Sequence, residues 1–498
     1  MQEEMLNIHN GQSLAIARVP ILTEPVFRQK IIAGVSRGLR LINLFGCVLD
    51  DGEKRIFSVL GNDAEGKLSI SSFHVTTEKG TFKSLTPEVP QAHLFEREIA
   101  EQYGIIFEGH PWMKPVRCHN SVSDKPEHEG YPFYQLHGDE IHEVAVGPVH
   151  AGIIEPGHFR FQCLGEEIIH LEIRLGYQHR GVEKMMEQCS RERGALLAES
   201  IAGDTVIGHV SAWCNLMESL SGCEISPHAE AIRAIALELE RLANHTGDLG
   251  ALCADIGFLP SSAYFGRLRG VFLNLSAELS GNRFGRSLCY PGGVVFDLDE
   301  EMLKDFHRQL LIAQKDLNEI AQLMFDKPSV LARLEGTGIV SQRVARDLGL
   351  VGPAARASGC KIDVRTDYAF GRYRFCHIPI STILSGDVYA RALVRWFESQ
   401  RSIEFILNSL NDIPRGALRV EAGALKPNHI ALAMVEGWRG EIMHIALTDN
   451  ASRIMRYKIK DPSFHNWPAL GMAVRNAQIS DFPLCNKSFN LSYAGHDL

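Results

Sequence analysis

Eleven cysteines lie at positions 47, 118, 163, 189, 214, 223, 253, 289, 360, 376 and 485, and no two of them are separated by only two residues. Without a C-x-x-C pair, zinc ribbons, thioredoxin-type redox centres and clusters held in such pairs are excluded as organising elements. The odd count argues against a disulfide framework as well. So does the start, MQEEMLNIHNGQSLAIARVP, which carries acidic groups and no apolar signal core. Folding must then come from burying apolar surface. With 498 residues, 45% of them hydrophobic and 22% charged, there is enough of it, and the length suggests two to four domain-sized pieces. The net charge of −9, from 51 basic and 60 acidic residues, gives no electrostatic footprint for nucleic acid. No stretch approaches the roughly 18 uninterrupted apolar residues of a membrane-spanning helix. These features predict a soluble, cytosol-facing chain of buried thiols.

Residues 1–115 read as a small α/β unit. Its β-rich runs at 41–45 and 55–60 are punctuated by Asp-Gly and Gly-Asn turns, and a helix is expected over 94–102. Residues 116–143 are rich in Pro, His and acidic groups with little apolar periodicity, and read as a linker. From 144 to 498 the pattern changes. The run HFRFQCLGEEIIHLEIRL (158–175) suggests a hairpin turning at Gly165-Glu166. Between 227 and 245, Ile232, Ile235, Ala236, Leu239, Leu242 and Ala243 repeat at helical spacing, the mark of core packing rather than of a cofactor site. Further helices are expected over 300–324 and 388–410, and short strands over 443–447 and 457–459. The fold class is α+β: a small α/β domain, then a mainly helical core with flanking β-hairpins.

Two stretches carry a family resemblance. HLFEREIAEQYGIIFEGHP (93–111) resembles the signature of the 30-kDa-type subunit of respiratory complex I, with Glu96, Arg97, Glu98, Tyr103, Gly104, Phe107 and Gly109-His110-Pro111 in place. From Gly147 onward the chain resembles the 49-kDa-type subunit of complex I. It resembles more closely the large subunit of membrane-bound energy-converting [NiFe] hydrogenases, of the formate hydrogenlyase and hydrogenase-4 component G type. The matching runs include GPVHAGIIEPGHFRF (147–161), LGYQHRGVEK (175–184), ELERLANHTGDLGAL (238–252), YPGGV (290–294), ARASGCKIDVR (355–365), GDVYARALVR (386–395) and FHNWPAL (464–470), in the family order.

The resemblance implies a site and also its alteration. Such hydrogenases hold nickel with two cysteine pairs, whose positions here carry Ala202 and Thr205, and Ser492 and Gly495. Nickel needs soft thiolates there, so no metal is expected. In complex I the emptied pocket takes a quinone. The quinone-binding tyrosine falls on Gly203, the quinone-site histidine near Pro156 and a cluster-side histidine on Gly285, whereas Asp248 matches the aspartate that supports the quinone histidine. Glu155 stands where hydrogenases relay protons, and burial would raise its pKa as a relay requires. His158 and His209 flank the pocket, each readable also as a hydrogen-bonded structural residue. Asp204, Thr205, Ser492, His496 and Asp497 form either a polar acceptor cavity or solvated filler. His179 and Arg180 fall near the interface with a partner carrying a [4Fe-4S] cluster, and Arg356, Asp363 and Arg365 have a structural or interface role.

The function implied is that of the large subunit in the peripheral arm of an oxidoreductase complex on the cytoplasmic side of the inner membrane. It would pass electrons from the partner's [4Fe-4S] cluster to an acceptor such as quinone, coupled to proton or ion movement through antiporter-like and proton-channel-like membrane subunits. No cofactor is assigned to this chain itself. A non-catalytic coupling subunit is the alternative, and an active hydrogenase the third.

Overall fold

The computed structural model of the chain describes residues 4–50, 52–75, 80–117, 131–150, 154–187 and 189–498. Residues 118–130 of the stretch expected as a linker lie outside these residues. The end of that stretch, Ile141–Val146, is a strand.

Strands Arg40–Val48, Lys54–Asn62 and Lys67–Val75 form an antiparallel meander, and Leu6–Ile8 and Ile21–Leu22 add to its last strand. A register shift after Leu41 inserts one residue, so Leu41 and Leu44 face one side while Ile42, Phe45 and Cys47 face the other. Helices Glu24–Ser36 and His93–Tyr103 cover the first side through Phe27, Ile31, Phe95 and Ile99. The second side meets another sheet. Strands His429–Gly437, Gly440–Thr448 and Ile454–Lys460 run antiparallel, and Ser13–Ala15 joins their edge, so the N-terminal part lends a strand to the C-terminal sheet. Ile430, Leu432, Met434, Met443, Ile445 and Leu447 pack on Ile42, Phe45, Phe57 and Val59.

Period-two alternation turns Ala431, Ala433, Val435, Ile442, His444 and Ala446 to the opposite face, toward the helical core. Small residues there let helix Val206–Ser221 lie close: a Cβ on its Gly208 would come within 2.8 Å of Ile442. The helix expected over 227–245 begins where Ser226 caps Ala229 and Pro227 takes the first turn, and it continues to Asp255. Its crossing partner is Leu259–Ser280, against whose Phe265 Gly250 packs. Helices Glu300–Phe325 and Val388–Asn411 complete the core. The expected hairpin forms as His158–Leu164 and Glu167–Arg174, with Ile141–Val146 as a third strand. Helices Pro462–Ala473, Phe482–Phe489 and Tyr493–Asp497 then bring the C-terminal residues back against the hairpin. Among the described residues no helix is long and apolar enough to cross a membrane.

Candidate functional site

Trp438 and Arg439 join two strands of the C-terminal sheet at a hairpin tip that is buried. The tip presses on its neighbour so closely that a Cβ at Gly440, where φ is +130°, would lie 2.6 Å from the amide nitrogen of Gly352. Trp438 Nε1 donates to the Asp204 carbonyl at 2.9 Å and to Thr205 Oγ1 at 3.1 Å. Arg439 forks both Nη groups onto the Asp204 carboxylate, reaches Thr205 Oγ1 at 3.2 Å, donates from Nε to the Asn490 carbonyl and stacks 3.9 Å over the Trp438 ring. One guanidinium therefore ties the 202–205 turn to the C-terminal segment. Burial pushes the Asp204 carboxyl up, but Arg439 outweighs it and holds Asp204 below the usual carboxylate range. The Asp204 side chain keeps 35% of its surface exposed while Arg439 is buried, so the pair opens to solvent only on the Asp204 side, as a shallow mouth.

Glu155 faces the same pair. Its Oε2 accepts from the backbone amides of Tyr493 and Ala494 at 3.1 and 3.3 Å. Burial raises its carboxyl above the ordinary value, opposed by the Ala494 amide and by Arg439, and reinforced by Asp204. Asp248 joins indirectly, bonded to Asn490 Nδ2 at 2.6 Å and to Arg395 Nε at 2.7 Å. His209 sits one turn beyond Thr205 with its Nε2 3.0 Å from Asp461 Oδ2. The structure thus gathers Glu155, Asp204, Thr205, His209 and, through Asn490, Asp248.

The other residues singled out in the sequence point elsewhere. His158 Nδ1 lies 3.2 Å from the Gly147 carbonyl and its ring packs on Phe133, where burial lowers its pKa. His496 stacks on Phe464 and bonds Asp497 at 2.9 Å. Asp497 accepts from the amides of Gly176 and Gln178. His179 Nδ1 lies 2.8 Å from the Asp497 carbonyl, and Arg180 donates to the carbonyls of Ser200 and Ile201. These four pin the C-terminal segment and the 199–205 turn in place. Arg439, Trp438, Asp461 and Glu240 were not apparent in the sequence; an Arg-Gly step after a buried-type strand, GWRGEIMH, was the available signal for the first two.

The four nickel-ligand positions offer no thiolate. The Ala202 carbonyl accepts from the Thr205 amide, the Thr205 hydroxyl is engaged by Arg439, and Ser492 Oγ caps its own short helix at Gly495 N. Gly495 is also closed sterically: a Cβ there would lie 2.6–2.9 Å from the Asp461 carboxylate, which Ser463 N and His209 hold fixed. The donor set does not fit nickel. Gly495→Ala is expected to destabilise the chain by about 1–3 kcal/mol through this overlap, read as a fall in denaturation midpoint; an unchanged midpoint would show Asp461 to be free to move.

Glu240 lies behind the turn. It accepts from Ile207 N at 2.7 Å and Gly208 N at 3.2 Å, at the start of helix Val206–Ser221. Burial pushes it up to about 8 against those two bonds. The folded chain therefore keeps a proton that the unfolded chain releases above the ordinary value of 4.5. The stability from this group is complete below that value and is lost as pH rises through about 8. Glu240→Gln is expected to flatten the decline of Tm across that window, as thermal melts at stepped pH would show.

Arg356, Asp363 and Arg365 are fully buried in an ion network with Glu238, Glu398 and Glu436, which gives them a structural role.

Residues 255–429 and 419–497 match the family Respiratory-chain NADH dehydrogenase, 49 Kd subunit, and residues 48–135 match Respiratory-chain NADH dehydrogenase, 30 Kd subunit. Formate hydrogenlyase subunit 5 of Escherichia coli (strain K12) is 30% identical over 468 residues, 90% of this chain and 82% of that one. NADH-quinone oxidoreductase subunit 4 of Thermus thermophilus is 30% identical over 369 residues, 69% and 90% of the two chains. A chain of the membrane-bound sulfane sulfur reductase, an archaeal respiratory membrane complex, shares the fold with a TM-score of 0.68 at 23% identity, covering 72% of this chain and 99% of that one. The chain belongs to the family of complex I 49-kDa-type and membrane-bound hydrogenase large subunits, with a 30-kDa-type unit ahead of it in the same polypeptide, and is accordingly an oxidoreductase subunit.

Proposed function

We propose that this chain is the acceptor-reducing large subunit in the peripheral arm of a membrane-associated, energy-converting complex that has no nickel–iron centre. Electrons reach it from a [4Fe-4S] cluster in a small-subunit partner and leave on an acceptor, a quinone, bound at the mouth beside Asp204 and Arg439. Glu155 supplies one of the two protons that reduction of the quinone to quinol takes up. Proton-channel-like and antiporter-like membrane subunits couple that step to ion movement, with this chain peripheral on the cytoplasmic face of the inner membrane. The observation that carries this reading is the Arg439 guanidinium set between the two altered ligand segments. A fixed cation at a partly exposed mouth stabilises negative charge developing on an acceptor, and a carboxyl of raised pKa beside it is a competent proton donor. The name of the Thermus relative supports a quinone.

A second reading, a coupling subunit without a substrate, is favoured by the engagement of all three Arg439 nitrogens within the chain. Decylubiquinone reduction by the purified complex, driven by dithionite-reduced methyl viologen, separates the two. On the catalytic reading Glu155→Gln and Asp204→Asn each lower turnover by about 10²-fold. Wild-type complex without turnover, or turnover indifferent to both substitutions, would establish the scaffold. Hydrogen evolution and nickel content should both be nil.

A further inference from the structure

We propose that His209, His444 and Tyr457 form a buried one-proton relay ending on Asp461 at the floor of the site. Its purpose rests on the acceptor-reducing reading given above; its existence rests on geometry.

Four titratable side chains make one unbroken chain of hydrogen bonds. His209 Nε2 is 3.0 Å from Asp461 Oδ2, His209 Nδ1 is 3.1 Å from His444 Nε2, and His444 Nδ1 is 2.7 Å from the Tyr457 hydroxyl. All four residues are at most 1% exposed. The fold places them in line: His209 projects from helix Val206–Ser221 onto the sheet, and His444 and Tyr457 are diagonal neighbours on adjacent strands, Tyr457 lying opposite Ala446. Packing alone would be served by apolar side chains of similar size, as it is at Ala433, Ile442 and Ala446 on the same face.

Satisfying every ring nitrogen fixes the proton positions. With Asp461 ionised, His209 donates from Nε2 and accepts at Nδ1 from His444 Nε2–H, and His444 accepts at Nδ1 from Tyr457 O–H. In transfer, the Tyr457 oxygen takes up one proton and passes its own to His444 Nδ1. His444 Nε2–H passes to His209 Nδ1, and His209 Nε2–H passes to Asp461 and on to the acceptor. One proton enters, one leaves, no electron moves, and both rings exchange tautomers together. Midway the chain holds a His209 imidazolium against the Asp461 carboxylate.

The charged and titratable neighbours are few. Asp461 faces His209, Arg439 and Asp204; burial pushes its carboxyl up, but the His209 bond and Arg439 hold it low. His444 is kept neutral by burial and by His209, with Glu183 opposing. Tyr457 faces Cys189, Cys214 and Glu183, of which Cys189 is half-buried and Cys214 buried.

Nitrogen-15 NMR of the full chain, with histidine ring nitrogens labelled and the two signals assigned through His444→Gln and His209→Gln, tests the relay without turnover. On acidification, uptake of one proton by the chain should carry His444 from its Nε2–H to its Nδ1–H tautomer in the wild type, with the His209 ring signals changing in the same step. In Tyr457→Phe the His444 Nδ1–H of the protonated state has no acceptor, so the switch should move down by at least about one pH unit. A His444 tautomer that stays fixed while the His209 ring signals change, or a midpoint indifferent to Tyr457→Phe, would overturn the relay. In the assembled complex, Tyr457→Phe and His444→Gln should each lower decylubiquinone turnover about tenfold, with KM unchanged and a larger solvent isotope effect. Turnover and isotope effect unchanged in both would also overturn it. A wild-type complex that does not reduce decylubiquinone would instead count against the acceptor-reducing reading, and the NMR result would still decide the relay.

Discussion

Arg356→Met is expected to destabilise the chain by about 3–5 kcal/mol, enough to remove most of the stability of an ordinary domain. Arg356 is fully buried, and its Nε donates to Glu398 at 2.7 Å while Nη1 reaches Glu436 at 2.8 Å and the Ile362 carbonyl at 2.9 Å, with Asp363 at 3.5 Å. Burial raises the Glu398 carboxyl, but Arg356 and His245 outweigh it and hold it well below the ordinary range. Methionine fills the volume and leaves the Glu398 and Asp363 carboxylates, with Glu436 already pushed up to about 7 by burial and Asp363, in a low-dielectric interior with one cation fewer. The penalty is the unpaired charge rather than a lost contact, which is why it exceeds the worth of an intact pair. Arg356→Lys should recover only part of the loss, because an ammonium cannot fork between Glu398 and Glu436. Glu404→Gln, which breaks an exposed pair with Arg401, should stay within about 0.5 kcal/mol and serves as the control. Urea denaturation of the three variants reads these differences directly. A change below about 1 kcal/mol in Arg356→Met would mean that the carboxylates are protonated in the native chain.

Elements with strong periodicity were legible in the sequence, and their ends shifted where tertiary contacts decided them. The helix expected over 227–245 reaches Asp255 because Gly247 and Gly250, which weaken a helix by propensity, here accommodate Arg269 and Phe265 of the crossing helix. The helices at 300–324 and 388–410 each gained a single residue at the C-terminal end. The register shift after Leu41 could not be read from alternation, since it changes which residues share a face. At the site, the family motifs located Glu155, Asp204 and Thr205, which lie around Arg439, and Asp248, which reaches them through Asn490. His496 and Asp497 lie in the C-terminal segment beside Ser492 and Gly495, but the turn of helix Tyr493–Asp497 directs them toward Phe464 and the 176–178 loop. Arg439 and Asp461 escaped notice for a common reason. One is a hairpin tip and the other a helix N-cap, positions that ordinarily face water, and only long-range packing buries them.

On the acceptor-reducing function proposed above, Arg439→Gln is expected to lower turnover by about 10²–10³-fold, the loss typical of removing one preorganised donor from developing negative charge. The substitution removes the charge and one arm of the fork, while a glutamine can still reach either Asp204 or the Asn490 carbonyl. Arg439→Lys separates the two contributions: it keeps the cation but not the planar fork, so turnover should fall less than in the glutamine variant and KM should rise. Asp204, released from its partner, should titrate at higher pH in Arg439→Gln, because burial then acts on it without the opposing guanidinium. The pH dependence of turnover should therefore gain an acidic limb that the wild type lacks. Assembly with the proposed small-subunit partner is not expected to change, since the substitution lies inside the chain and the exposed edge of the site is formed by Asp204. Turnover retained in Arg439→Gln would exclude this guanidinium from the reaction. Loss of assembly together with turnover would instead assign Arg439 to holding the 202–205 turn against the C-terminal segment, and with it the coupling role.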